Sequence, residues 1–175
     1  MTGRNVASPT TLAGTAAVIL TWAWSERRQI MITKMGGVTW GGGKLSLVEH
    51  PLAPRALGSP MHTHSHEDEY SYILAGQIGA QVGEEVILAG PGDVIAKPSG
   101  IPHAFWNAGD TPARVLEIIA PGGFEGYFAG LGELLAASAQ PDPAARQALG
   151  QRFGIDLDVD SIPRLAAEHG LRLDG

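Results

Sequence analysis

Cysteine is absent from this chain, which rules out disulfides, thiolate metal ligands and a cysteine nucleophile while saying little about compartment. Charge is sparse as well. Charged residues make up 17% of the sequence, and 12 Lys and Arg against 18 Asp and Glu leave a net charge of −6 and a pI near 5.4. That balance gives no electrostatic footprint for phosphate backbones or anionic lipid, so neither nucleic acid nor a membrane is an expected partner. One mostly apolar stretch, residues 12–24, falls short of the ~20 residues that a membrane-spanning helix requires. It could be read as the apolar part of an export signal, but Arg4 is its one upstream positive charge and Ala23-Trp24-Ser25 is a poor cleavage site. The chain is therefore read as cytoplasmic, with secretion as the lesser alternative. Gly41-Gly42-Gly43 lacks the strand-turn-helix setting of a phosphate loop, and no internal repeat or low-complexity segment is visible.

Glycine and proline are plentiful, at 24 and 12 residues, and favour many short strands joined by tight turns over a helical bundle. A length of 175 residues suits one domain with one well-buried core. Runs with strand character fall at 18–24, 29–35, 44–50, 70–74, 78–82, 85–88, 93–97, 103–107 and 113–120, with Gly83-Glu84 as a two-residue hairpin connection and 51–55 as a proline-bounded loop. Strands of this length and spacing predict an all-β sandwich or barrel. Past Pro121 the period changes from two to 3.6. Phe124, Tyr127, Phe128, Leu131, Leu134 and Leu135 share one helical face, and Asp142-Pro143 offers an N-cap with proline at N1 of a second helix that stops at Gly154. A third helix is expected at 162–169, between Ser161 and Gly170. The organisation is thus an N-terminal segment (1–35) whose strands pack on the barrel, a barrel core (36–120), and a helical extension of the same domain (121–175). Strand edges and the apolar face over 124–135 need cover, which two-fold pairing into a homodimer would supply.

The chemistry concentrates in Pro60–Gly76. An extended His62-x-His64 sends both imidazoles the same way, and Glu69 follows after a short polar link. Two neutral imidazoles and a carboxylate are a ligand set that borderline divalent metals prefer, with positions left for substrate. A further ligand is available at His103, which ends the rigid turn Pro98-Ser99-Gly100-Ile101-Pro102 and opens a strand. Phe105 and Asn107 lie on the His103 face of that strand and are candidates to line the pocket. His50, beside a proline, and His169, near a helix C-terminus, are read as structural.

Together, His62-x-His64-x4-Glu69-x6-Gly76 and Gly92-x5-Pro98-x-Gly100-x2-His103-x3-Asn107 resemble the two cupin motifs. The second matches throughout; the first departs at its leading glycine, where Ala56 stands and Gly58 is displaced by two. The resemblance runs from about residue 42 to the end, and the segment 121–128 is similar to the tail of small bacterial single-domain cupins related to quercetin dioxygenase. It implies a double-stranded β-helix, or jelly-roll barrel, with short C-terminal helices. It also implies one divalent transition metal ion (Ni, Fe, Mn, Co, Cu or Zn) held by His62, His64, Glu69 and His103, with Glu69 doubling as the catalytic base. The implied function is a metal-dependent dioxygenase acting on a small aromatic or enolisable, flavonol-like substrate. The alternatives are a non-catalytic cupin that binds a sugar or organic acid through its metal, and a cupin isomerase.

His66 is the residue on which spacing and resemblance meet. By strand parity it could replace His62, but His64 with His66 would leave two residues before Glu69 where the cupin pattern has four, so His66 stands outside the ligand set. Elemental analysis of purified variants checks this: His66→Ala should keep the parent's metal content and His62→Ala should lose most of it. The reverse pattern would reassign the ligands.

Overall fold

Period-two alternation is plainest in the strand Ser46–Leu52 (β1), where Ser46, Val48, His50 and Leu52 are buried and the residues between them are half-buried. The computed structural model describes residues 44–138 and 141–172, so the strands expected at 18–24 and 29–35 lie outside the described residues. After β1 come Leu57–His64 (β2), Asp68–Ala75 (β3), Ile78–Val82 (β4), Glu85–Ala89 (β5), Val94–Lys97 (β6), His103–Asn107 (β7) and Ala113–Ala120 (β8). The C-terminal part holds Glu125–Ala137 (α1), Pro143–Arg152 (α2), Ile155–Asp158 (β9) and Ser161–His169 (α3).

The strands form two antiparallel sheets, one ordered β1-β8-β3-β6 and the other β5-β4-β7-β2-β9. Both contribute to one apolar interior, with Leu52, Ile73, Ile95 and Val115 from the first and Ile78 and Phe105 from the second. This is the double-stranded β-helix expected from the sequence, with short helices following it. Pro51, expected in a loop, instead sits in β1 opposite Arg114. Among the described strands β1 lies at a sheet edge, where proline's missing N–H need not remove a ladder bond.

Gly58 explains the displaced glycine of the first motif. A Cβ there would collide with the Phe105 ring, so a bare backbone at this point lets an aromatic side chain fill the barrel. Gly76 holds φ +77 beside Ala113, a conformation and a space that both exclude a side chain.

Beyond Pro121 the sequence reading held helices alone, whereas the structure adds β9. Ile155-Asp-Leu-Asp alternates over four residues and pairs with β2, placing Leu157 opposite His62 and Ile155 opposite His64. The helices cover the chain's own barrel. Phe124 and Tyr127 of the α1 region pack with Val48, Ile119, Leu149 and Ile155, and Leu165 of α3 packs with Trp106 and Met61. Of the face expected to need a partner subunit, Phe124 and Tyr127 are thus buried within the protomer, and Phe128, Leu131 and Leu134 are partly buried against the same cluster. Exposed large apolar side chains lie elsewhere, at Tyr70, Tyr72, Val86, Leu88, Val94 and Ile101. Among the described residues no helix is long and apolar enough to cross a membrane.

Asn107 acts as a tie. Its amide nitrogen donates to the carbonyls of Leu52, Ala53 and Thr111, at 3.2, 2.8 and 2.8 Å, and its oxygen accepts from the Gly109 N–H at 2.9 Å. One fully buried side chain thus joins the β1–β2 turn to the loop before β8. Asn107→Ala would leave these backbone groups without their partner, at a cost of about 2–4 kcal/mol. In a thermal melt this should lower Tm by roughly 4–16 °C. An unchanged Tm would show that water replaces the amide without loss.

Candidate metal centre

Both sheets deliver ligands to one place. His62 on β2 pairs directly with His103 on β7, and β2 changes register twice along this ladder, between Leu57 and Ser59 and between Ser59 and His62. Such irregularities re-aim side chains beside functional sites. Glu69 arrives from β3 of the other sheet, and the Gly100 N–H donating to the His64 carbonyl at 2.8 Å joins the two motif loops. His62, His64, Glu69 and His103 are all buried, and one donor atom from each falls within a common 4.8 Å. His66 is exposed and is not part of this group.

The imidazole orientations follow from backbone acceptors. Nδ1 of His62 lies 2.9 Å from the Pro60 carbonyl and Nδ1 of His103 lies 2.9 Å from the Ile101 carbonyl. A carbonyl can only accept, so each ring donates from Nδ1 and, when neutral, turns an Nε2 lone pair inward. Nε2 of His103 is 3.2 Å, and Nε2 of His64 4.0 Å, from Oε2 of Glu69. The lone pair that His103 thereby turns toward a carboxylate at 3.2 Å is a site for a cation.

Electrostatics complete the donor set. Burial, reinforced by His103, pushes His62 down to about 3, and burial likewise lowers His64. For Glu69 burial acts in the raising direction, but the Lys97 ammonium, the close contact with His103 and the other imidazoles outweigh it and hold the carboxyl well below the usual range. His62 and His64, disfavoured as imidazolium, and an ionised Glu69 fit a divalent transition metal ion without first giving up protons.

The sequence reading missed the groups behind Glu69. Lys97 Nζ donates to Glu69 Oε2 at 2.7 Å and to Glu117 Oε2 at 2.9 Å, and Ser71 Oγ donates to both Glu117 oxygens at 2.8 and 3.0 Å. The register creates this set, with Lys97 opposite Glu69 on β6 and Glu117 opposite Ser71 on β8. All are buried, and the ammonium also lies 4.8 Å from the Phe105 ring centroid. Burial alone would lower the Lys97 pKa, yet Glu117 and Glu69 raise it, so Lys97 stays charged. The clue was available: Lys97 and Glu117 occupy inward positions on strands whose other inward residues are Ile95, Ala113, Val115 and Ile119.

Aromatic rings wall the remaining side. Phe124 meets His64 with ring centroids 4.8 Å apart, and His50 stands edge-on to Phe105 at 5.6 Å and to Phe128 at 5.4 Å. His50 was read as structural; here its buried ring stands among the rings that line the interior, with Nδ1 lacking a hydrogen-bond partner.

Part of the chain matches a known family model. Residues 49–119 match the family model described as a cupin domain. Together with the fold, this supports the cupin superfamily. The chain is 36% identical over 77 residues to germin-like protein 1 of Brassica napus, a match covering 41% of this chain and 37% of that relative's length. Among solved structures it is similar to TT1209 of Thermus thermophilus, at 27% identity and a TM-score of 0.47, covering 53% of this chain and 84% of that one. A sugar phosphate isomerase of Silicibacter pomeroyi from the cupin superfamily aligns at 26% identity and a TM-score of 0.46, covering 51% and 57%. A predicted oxalate decarboxylase of Thermotoga maritima aligns at 28% identity and a TM-score of 0.41, covering 43% and 65%.

His50 also carries a pH dependence. Burial is the main cause that lowers its pKa from 6.5 to about 4; Glu69 and Glu49 act to raise it and Lys97 to lower it. Above pH 6.5 the ring is neutral in folded and unfolded chains alike. Between there and pH 4 the unfolded chain takes up a proton that the folded chain refuses, so stability falls as pH falls, by about 3 kcal/mol in all. Metal-free His50→Phe should lose less Tm than the parent between pH 7.5 and 5. Equal losses would show that the folded protein protonates His50 freely.

Proposed function

We propose that this chain is a metal-dependent cupin enzyme, a dioxygenase acting on a small aromatic or enolisable substrate. The observation that carries the reading is the composition of the wall: the donors meet phenyl rings, Phe124 against His64 and Phe105 beneath Lys97, where a polar binding module would set hydroxyls and amides. Walls of this kind favour a flat apolar ring over a polar ligand. His62, His64, Glu69 and His103 would hold the ion, whose bound charge would make an enol or phenol hydroxyl more acidic.

The chain's own groups then have defined tasks. Glu69 accepts the substrate's hydroxyl proton. Its basicity is low, which suits a hydroxyl that is already acidified. The Pro60 and Ile101 carbonyls fix the tautomers of His62 and His103, keeping their inward nitrogens free of protons. Phe105 and Phe128, with neutral His50 between them, hold the substrate ring. The homodimer belongs to the same proposal, with Tyr70, Tyr72 and Val94 among the exposed side chains that it would cover.

Oxygen uptake by fully metal-loaded protein, offered a flavonol and other enolisable aromatics, tests the assignment. Glu69→Gln, compared at equal metal occupancy, should turn over roughly 10²–10⁴-fold more slowly while substrate binding weakens less. Activity within about threefold of the parent, far below that range, would make Glu69 a ligand and not the base. No uptake by the parent with any of these compounds would shift the reading to a metal-anchored binding module.

A further inference from the structure

Glu69 offers one oxygen to two kinds of neighbour. Oε2 is the atom that lies 3.2 Å from His103 Nε2 and 4.0 Å from His64 Nε2, and it is also the atom that accepts from Lys97 at 2.7 Å. An oxygen already accepting from an ammonium has less electron density to give an ion, and the ammonium's positive charge repels a second cation nearby. Lys97 has somewhere else to lean. Glu117 Oε2 is 2.9 Å from the same Nζ, and Ser71 keeps the Glu117 carboxylate aimed at it. This set is built and closed, since Lys97 and Glu117 are fully buried and each polar atom has a partner inside the barrel.

We propose that Lys97 is a positioning residue that competes with the metal ion for Glu69, keeping the carboxylate loosely held so that it can act on substrate, and that Glu117 sets the strength of this competition. The proposal rests on the metal site described above and deepens it. A carboxylate that is both ligand and base must be able to loosen its metal bond, and an alternative cationic partner on the same oxygen provides the means. Partners of metal ligands ordinarily raise affinity by orienting the ligand, and their loss costs 10–100-fold. Here the partner carries the same sign of charge as the ion, so the predicted direction is opposite.

Two variants separate these possibilities. Glu117→Gln is nearly isosteric and keeps an oxygen for Ser71, but it removes the counter-anion and leaves Lys97 leaning on Glu69 alone. Zinc affinity, measured by competition with a chromophoric chelator, should weaken by about tenfold. Lys97→Met combined with Glu117→Gln removes one charge of each sign, leaves no unpaired carboxylate at position 117, frees Glu69 for the ion alone, and should tighten zinc binding by about tenfold relative to the parent. With cobalt in the site, the visible absorption spectrum of the double variant should change as Glu69 binds more strongly. Weaker or unchanged zinc binding in the folded double variant would overturn the proposal, because Lys97 would then simply orient Glu69. If circular dichroism shows the double variant unfolded, the single variant decides alone: weaker binding supports the competition, and equal or tighter binding refutes it. These affinities do not depend on turnover. Absence of oxygen uptake would sink the dioxygenase reading without altering them, and a wrong sign here would leave that reading standing.

Discussion

Burying charge is the constraint on which the rest of this barrel depends. Lys97, Glu69 and Glu117 sit in an interior otherwise filled by Ile73, Ile95, Val115 and Phe105, where an unpaired ion would cost several kcal/mol. The sheet solves this by register. β3 lies between β6 and β8, so two inward residues of one strand, Glu69 and Ser71, meet a cation on one side and a carboxylate on the other. Because side chains alternate, a slip of one residue in either pairing would turn these groups outward and bring their neighbours in. The ion network and the strand order therefore enforce each other.

The same geometry limits what the histidines can do. His62 and His103 face each other across β2 and β7, and each has its outer nitrogen tied to a carbonyl two residues upstream in its own chain segment. The ring is thus oriented by its own chain segment, the β2 strand at Pro60 in one case and the turn at Ile101-Pro102 in the other, which gives these prolines' neighbourhoods a chemical purpose beyond shaping the backbone. β9 shields the far side of β2, so the ladder carrying His62 and His64 is covered by residues that lie some ninety positions later in the sequence. The C-terminal segment, with Phe124 against His64, is accordingly part of the site's architecture.

The sequence made the barrel strands and the ligand group legible because both rest on strict spacing: alternation for strands, and two motifs with fixed intervals for the donors. The β4 strand and β7, β8 and the helix cap at Asp142, which accepts from the Ala144 N–H, lie where local pattern places them. What escaped the sequence depends on contacts between distant residues. Four residues of Ile155–Asp158 are too short to announce a strand until β2 is beside them. Pro51 reads as a breaker until its strand is known to be an edge. Asn107 reads from the sequence as a candidate pocket residue, and its saturated hydrogen bonding shows it bracing loops. Lys97 and Glu117 were within reach, since a charge at an inward position of an apolar strand has to be matched.

A barrel held by apolar packing and an internal ion network should fold without its metal, and this would separate two functions that a shared site would otherwise confuse. The clusters around Ile73, Phe124 and Trp106 supply the burial, the second of them touching the donors where Phe124 packs on His64. The donors can then be held in a geometry that suits an ion without the fold depending on its presence. Low intrinsic basicity at His62 and Glu69 follows from this arrangement: buried imidazoles resist protonation because no solvent reaches them, and the carboxylate resists it because Lys97 is close. The site is consequently ionised for metal before metal arrives, and Lys97, which helps ionise Glu69, is also the group that stands between it and the ion.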